Sequence, residues 1–281
     1  MQTASKTNGS LIADIKASIV AEMHKVYRLR THVVVLAVTL SLIVAALLIE
    51  FLASRYAAEH TPPGKSAPIN LSAIWQIFHF FCQYITPIVI ALIVAFQSGK
   101  EFEWKTYHQI QLKGQTPAAY VVSKLVTFAA LASATYLIHF LLVVLVYGIR
   151  TAVAGESFDL PLLQIITDFT YSLLAISIAL FLTVLVVSAS VGIVLTLVYL
   201  CVLEMILLPL IATLSGAFHQ EGVATALSYS PMKLPERLMN SALAENISGA
   251  LIIALVIILL PVVTGWLSYF VLNRRQIGLI R

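Results

Sequence analysis

Six stretches almost free of charge divide this chain, near residues 33–53, 73–97, 124–148, 167–188, 191–213 and 249–272. Each is long enough to cross roughly 30 Å of hydrocarbon as a helix. No other feature constrains the fold as strongly. Lipid offers the backbone no hydrogen-bond partner, so uninterrupted apolar runs of this length must satisfy their own amides and carbonyls as helices. Composition agrees: of 281 residues, 60% are hydrophobic and 11% charged, against roughly 25% charged in soluble domains. The expected fold is an all-α integral membrane protein, a six-helix transmembrane bundle forming one domain over residues 1–281. A long, mixed polar and charged segment precedes the first run, unlike a cleavable leader, so that run is expected to remain in the mature protein.

Orientation follows from Lys and Arg, which accumulate on the cytoplasmic side of short loops. With the N-terminus inside, twelve fall there (Lys6, Lys16, Lys25, Arg28, Arg30, Lys100, Lys105, Lys113, Lys124, Arg274, Arg275 and Arg281) and five outside (Arg55, Lys65, Arg150, Lys233 and Arg237). Both termini are therefore expected in the cytoplasm, with the chain multi-pass in the cell membrane. The formal net charge is +4, but these cations sit at helix ends, where they meet lipid headgroups rather than nucleic acid.

Three segments outside the spans have a readable design. Residues 10–30 place Ile12, Ile15, Ile19, Met23 and Val26 on one helical stripe, with Lys16, Lys25 and Arg28 off it. This predicts an amphipathic interfacial helix, capped by Ser10. A soluble helix packed on another subunit is the alternative. In the segment 98–116, Ser98 and Glu101 have capping-box spacing, and Glu101 and Lys105 stand four apart. Gly114 suits a helix stop, and Thr116-Pro117 an N-cap with first-turn proline. A short helix bounded on both sides and carrying Trp104, Tyr107 and His108 is predicted on the cytoplasmic face. The stretch 214–248 contains Pro231, Pro235 and an amphipathic run from Pro235 to Glu245, read as short re-entrant helices in the outer leaflet.

Catalytic signatures are missing. The chain has no G-x-x-x-x-G-K-[ST] phosphate loop, G-x-S-x-G, H-E-x-x-H or C-x-x-C, so no motif for ATP binding, serine hydrolysis, zinc or thiol-redox chemistry is visible. A few polar groups lie inside spans. Glu204 has no charged residue within fifteen positions on either side. Such a carboxylate must face protein or water, as part of a translocation path or an interhelical hydrogen bond. His79, Gln83 and His139 complete the candidate substrate path with Glu204, and no metal site is expected from their spacing. Asp168 and Glu50, near span ends, are expected to be solvated. Pro87, Pro209 and Pro261 fall within spans and are expected to kink them.

The stretch GKEFEWKTYHQIQLKGQTPAAYVVSKL, Gly99 to Leu125, resembles the segment between the second and third spans of type 2 ABC-exporter permeases. Glu101, Glu103, Thr106, Leu112, Pro117 and Lys124 fill the places of that pattern, and Asn273-Arg274-Arg275-Gln276 resembles the basic tail closing many such permeases. Trp104 beside Thr106 is similar to permeases of antimicrobial-peptide immunity and export. One departure is Lys105, where the family often has Gly. The resemblance implies that Glu101, Glu103, Trp104, Lys105, Thr106, Tyr107 and His108 lie in a coupling helix against an ATP-binding subunit. That separate chain would carry the P-loop, ATP and Mg, leaving no cofactor here. It also implies a second permease chain, identical or related, with a pathway between second and fifth spans. Export of a hydrophobic or amphiphilic substrate (an antimicrobial peptide, a drug or a lipid-linked molecule) is the expected function. The rivals are an intramembrane enzyme using Glu204, His79 and His139, and an ion-coupled carrier with Glu204 as proton site.

Overall fold

A computed structural model describes residues 8–28, 81–112, 114–154, 162–217, 221–227, 229–231, 233–243 and 247–279, with scattered positions between 30 and 59. Every regular element among the described residues is helical: α1 (Asn8–Arg28), α2 (Thr86–Glu103), α3 (Thr106–Leu112), α4 (Pro117–Ala154), α5 (Leu162–Val186), α6 (Ala189–Leu197), α7 (Leu208–Ala217), α8 (Glu221–Leu227), α9 (Leu234–Leu243) and α10 (Ile247–Leu279). Five segments have the length and apolarity to cross a membrane: Gln83–Glu103, Pro117–Leu142, Ile165–Val186, Ala189–Ser215 and Ser248–Arg275. They correspond to the second through sixth expected spans. About half of the first span, Glu50 included, lies outside the described residues, as does His79.

The fourth span is the axis of the bundle. Helix α5 packs on α2, α4, α6, α9 and α10, and 67% of its apolar window is buried, against 22% for the fifth span and 11% for the sixth. Small residues permit this: Ala175, Ala179, Ser172 and Thr183 are fully buried, letting neighbouring backbones come close. A close approach joins the second and fifth spans, where a Cβ on Gly99 would lie 2.3 Å from the Ala189 Cα.

Two wide turns interrupt these rods. Phe81–Ile85 precedes α2, and Val198–Leu207 joins α6 to α7, each with i→i+5 hydrogen bonding. Pro87 and Pro209 follow them directly, and in both cases the residue four back, Gln83 or Met205, lies in the wide turn. A proline removes one amide and crowds that carbonyl, and a π turn accommodates both. Among the described residues only Pro261 sits deep within an α-helix.

Several local expectations change. Helix α1 already starts at Asn8, so Ser10 does not cap it. Its inward face is Ser18, Glu22 and Val26, while Ile12 and Met23 are exposed. The second span does not stop at Ser98, because α2 runs unbroken through Ser98 and Glu101 to Glu103; the capping box is absent. The break falls at Trp104-Lys105, where Lys105 has φ 57°. The Gly114 stop and Thr116 cap are present: Gly114 has φ 92°, and the Ala119 amide donates to Thr116 Oγ1 at 3.1 Å. The turn between fourth and fifth spans is Val187-Ser188, two residues ahead of the expected gap at 189–190. The helix expected from Pro235 to Glu245 is present as α9, Leu234–Leu243, with residues 244–246 outside the described residues, and Leu234 packs on Ile253 and Ile257 of α10.

Candidate functional site

Two polar constellations stand out, one at each end of the bundle. At the end carrying α1 and α3, Lys124 is completely buried. Because α4 begins at Pro117, this lysine lies two turns inside the helix rather than opening it. Its Nζ donates to Glu22 Oε2 at 2.7 Å and to Glu101 Oε1 at 2.6 Å. Lys25 also donates to both carboxylates, reaching Glu22 at 2.9 Å. Two acids and two ammoniums therefore neutralise one another, joining α1, α2 and α4 at one point. Burial works against the Lys25 ammonium, but Glu101 and Glu22 outweigh it and hold its pKa above the ordinary 10.5.

Aromatic rings enclose this cluster. Tyr120 donates its hydroxyl to Glu101 Oε2 at 2.8 Å, and its ring meets Tyr107 at 4.9 Å and Phe102 at 6.0 Å. Burial pushes the Tyr107 phenol well up. The expected Glu101–Lys105 pair does not form. Glu101 faces inward, 5% exposed, while Lys105 lies beyond the helix break. Glu103 plays a different part. With Lys100 at 2.8 Å beside it, it accepts from the Ala189 amide at 2.8 Å and Ser188 Oγ at 3.2 Å. It thus caps the first turn of α6 from a neighbouring helix, where a carboxylate complements the positive helix end.

Of the expected coupling residues, Trp104 (70% exposed), Lys105 and His108 face outward, while Thr106 is half-buried and Tyr107 buried. A hollow of about 250 Å³ beside them is lined by Phe102, Tyr107, His108, Gln111, Val187 and Arg275. Arg275, from the basic tail, donates to the Leu185 carbonyl at 2.7 Å, satisfying the last turn of α5. The left-handed φ of Lys105 also accounts for the glycine common at that place in the resembling family, since glycine adopts it without a Cβ clash.

Toward the opposite end lies Glu204, 4% exposed. The wide turn Val198–Leu207 stacks residues five apart, so Tyr199 donates to Glu204 Oε1 at 2.7 Å. The second oxygen, Oε2, is buried and has no hydrogen-bond partner among the described residues. Glu204 lines a cavity of about 360 Å³ with Tyr84, Tyr171, Leu200, Met205 and Lys233. Gln83 is also buried here and donates to the Tyr171 hydroxyl at 2.9 Å. His139 is buried against Tyr136 at 5.5 Å and does not line that cavity. Among the described residues no three His, Cys, Asp or Glu side chains converge as metal ligands. Asp168 is only 1% exposed, so the expectation of a solvated carboxylate fails there.

Sequence reading missed Glu22. Its signal was present: Glu22 is four residues from both Ser18 and Val26, a stripe with an acid at its centre, and Lys124 needed a counter-charge.

The signature of the ABC-2 family transporter proteins matches residues 18–203, about two thirds of the 281 residues. No curated protein and no solved structure matches the chain. The matched region takes in Glu22, Lys25, Glu101 and Lys124, the charge cluster and its three helices, and ends one residue short of Glu204. This chain belongs to the ABC-2 family of transporter proteins.

Proposed function

We propose that the chain is the permease half of an ATP-driven exporter, moving hydrophobic or amphiphilic cargo out of the cytoplasm or inner leaflet. A separate P-loop subunit binds ATP and Mg, and grips the exposed edge formed by Trp104, Lys105 and His108. The observation that carries this reading is the contrast between that edge and its mounting. The outward side chains have the aromatic and charged character of a docking surface, while α2, α1 and α4 behind them are pinned together by the Glu22–Lys124–Glu101–Lys25 cluster. A push on the edge moves three helices as one body, as alternating access by rigid-body motion requires. The bias of Lys and Arg supports a cytoplasmic position for this end.

A second permease chain completes the pathway. On the fifth span Val191, Val194, Val198, Val202, Leu210 and Leu214 are exposed along one face, apolar enough for lipid or for a second copy. The test uses the tagged full chain, purified from its own membrane. A P-loop ATPase should copurify, and Trp104→Ala with His108→Ala should weaken that association by roughly tenfold or more, as at interface hot spots. Glu101→Ala would not report contact with the partner, since Glu101 is buried. ATP hydrolysis by the chain alone, or unchanged capture in the double variant, would overturn the proposal.

A further inference from the structure

We infer that the cavity around Glu204 is a binding site for an amphiphile carrying a primary ammonium group, seated with that group on the free Glu204 oxygen. This rests on the export reading for its purpose but not for its existence, because binding needs neither ATP nor partner. A volume of about 360 Å³ falls within the roughly 300–1,000 Å³ of small-molecule sites. The walls are apolar where a chain would lie, at Ile88, Leu200, Met205 and Pro209.

The head of the site has one unmet acceptor. Glu204 Oε1 takes the Tyr199 hydroxyl, leaving Oε2 without a donor among the described residues. A buried carboxylate oxygen without a partner is costly, and a donor that brings positive charge relieves it most. The cavity's own cation does not do so, because Lys233 pairs with Glu236 at 3.2 Å. An ammonium offers three donors, and the ring of Tyr84 or Tyr171 can face a cation. A carboxylate or phosphate ligand would instead meet Glu204 as a like charge.

Lys233 also lines a second hollow of about 410 Å³ with Pro209, Glu236, Arg237 and Asn240. The two hollows share Pro209 and Lys233, so the site continues toward α9. A ligand would enter from that end, its apolar part passing between the fifth span and α9.

The experiment compares dodecylamine, dodecanol and dodecanoate on the purified full chain in neutral detergent, with bound molecules counted by native mass spectrometry. In the unaltered chain dodecylamine should bind about tenfold or more tightly than dodecanol, the size of one charge-assisted hydrogen bond. Glu204→Gln should remove that preference and leave dodecanol unchanged. Tyr199→Phe, which frees the carboxylate from its internal donor, should bind the amine at least as tightly as the unaltered chain. Equal amine and alcohol binding, a preference for dodecanoate, or undiminished amine binding in Glu204→Gln would each overturn the assignment. A missing ATPase partner with the amine preference intact would count against the export reading alone.

Discussion

Lys124 and Glu204 are both charged residues buried inside a transmembrane helix, and the protein treats them in opposite ways. Lys124 is met by two carboxylates, which share a second ammonium, and one of them, Glu101, also accepts a tyrosine hydroxyl. Glu204 is met by one tyrosine, leaves its other oxygen unpartnered among the described residues, and lines a cavity. A charge whose partners are all supplied internally holds helices in register. One left without a partner holds no helices together and is open to a donor from elsewhere. The first lies at the end carrying the proposed lever, the second in the proposed cargo path.

Breaking the matched cluster should have the largest effect. Lys124→Met leaves two buried carboxylates with Lys25 as their one shared ammonium, and removing a partner from such a cluster costs about 3–5 kcal/mol. Thermal unfolding in detergent should show it directly, and Lys124→Arg should recover part of the loss. Lys25 sharpens the same point through pH. Its folded pKa is raised above 10.5, so its contribution is complete below the unfolded value and is lost only as pH rises through the folded one. The contribution of Lys25 should therefore stay flat across neutral pH and fall in strong alkali.

Gly99→Ala tests the joint between the two regions. The new Cβ would sit 2.3 Å from the Ala189 backbone, which cannot move as a flexible side chain would, so overpacking should cost about 1–3 kcal/mol. Smaller, and of opposite sign, is Lys105→Gly. Relieving a left-handed lysine gains about 1–2 kcal/mol, offset by about 0.5–1 kcal/mol of added chain entropy. A rise in melting temperature would confirm the turn at Trp104-Lys105, and a fall would place the break elsewhere.

Much of this architecture is legible from periodicity and from turn residues. Spans two to six, the Gly114 stop, the Thr116-Pro117 start and the helix near Pro235 follow from local rules, because lipid and missing amides leave few alternatives. The errors share one cause. Ser98-x-x-Glu101 satisfies the local rule for a helix start, but Ser98 and Glu101 lie on the buried side of a longer helix, and tertiary partners decide the outcome. The family resemblance points Glu101 at a partner protein, whereas the fold turns it toward Lys124. No pairwise rule reaches from Glu22 to Lys124 across 102 positions. The wide turn at Val198–Leu207 is equally out of reach, since Pro209 marks a disturbance without saying that Tyr199 and Glu204 will be stacked. Asp168 is buried against expectation because position along a span says nothing about which neighbours cover it.

The division between a matched and an unmatched charge is tested most directly by the unfolding of Glu204→Gln, measured beside the unaltered chain in the same detergent without ligand. Replacing a carboxylate that lacks one partner by a neutral amide should leave stability within about 0.5 kcal/mol of the original or raise it. A loss approaching that of Lys124→Met would mean that Glu204 binds the bundle together, and the distinction between the two ends would be gone.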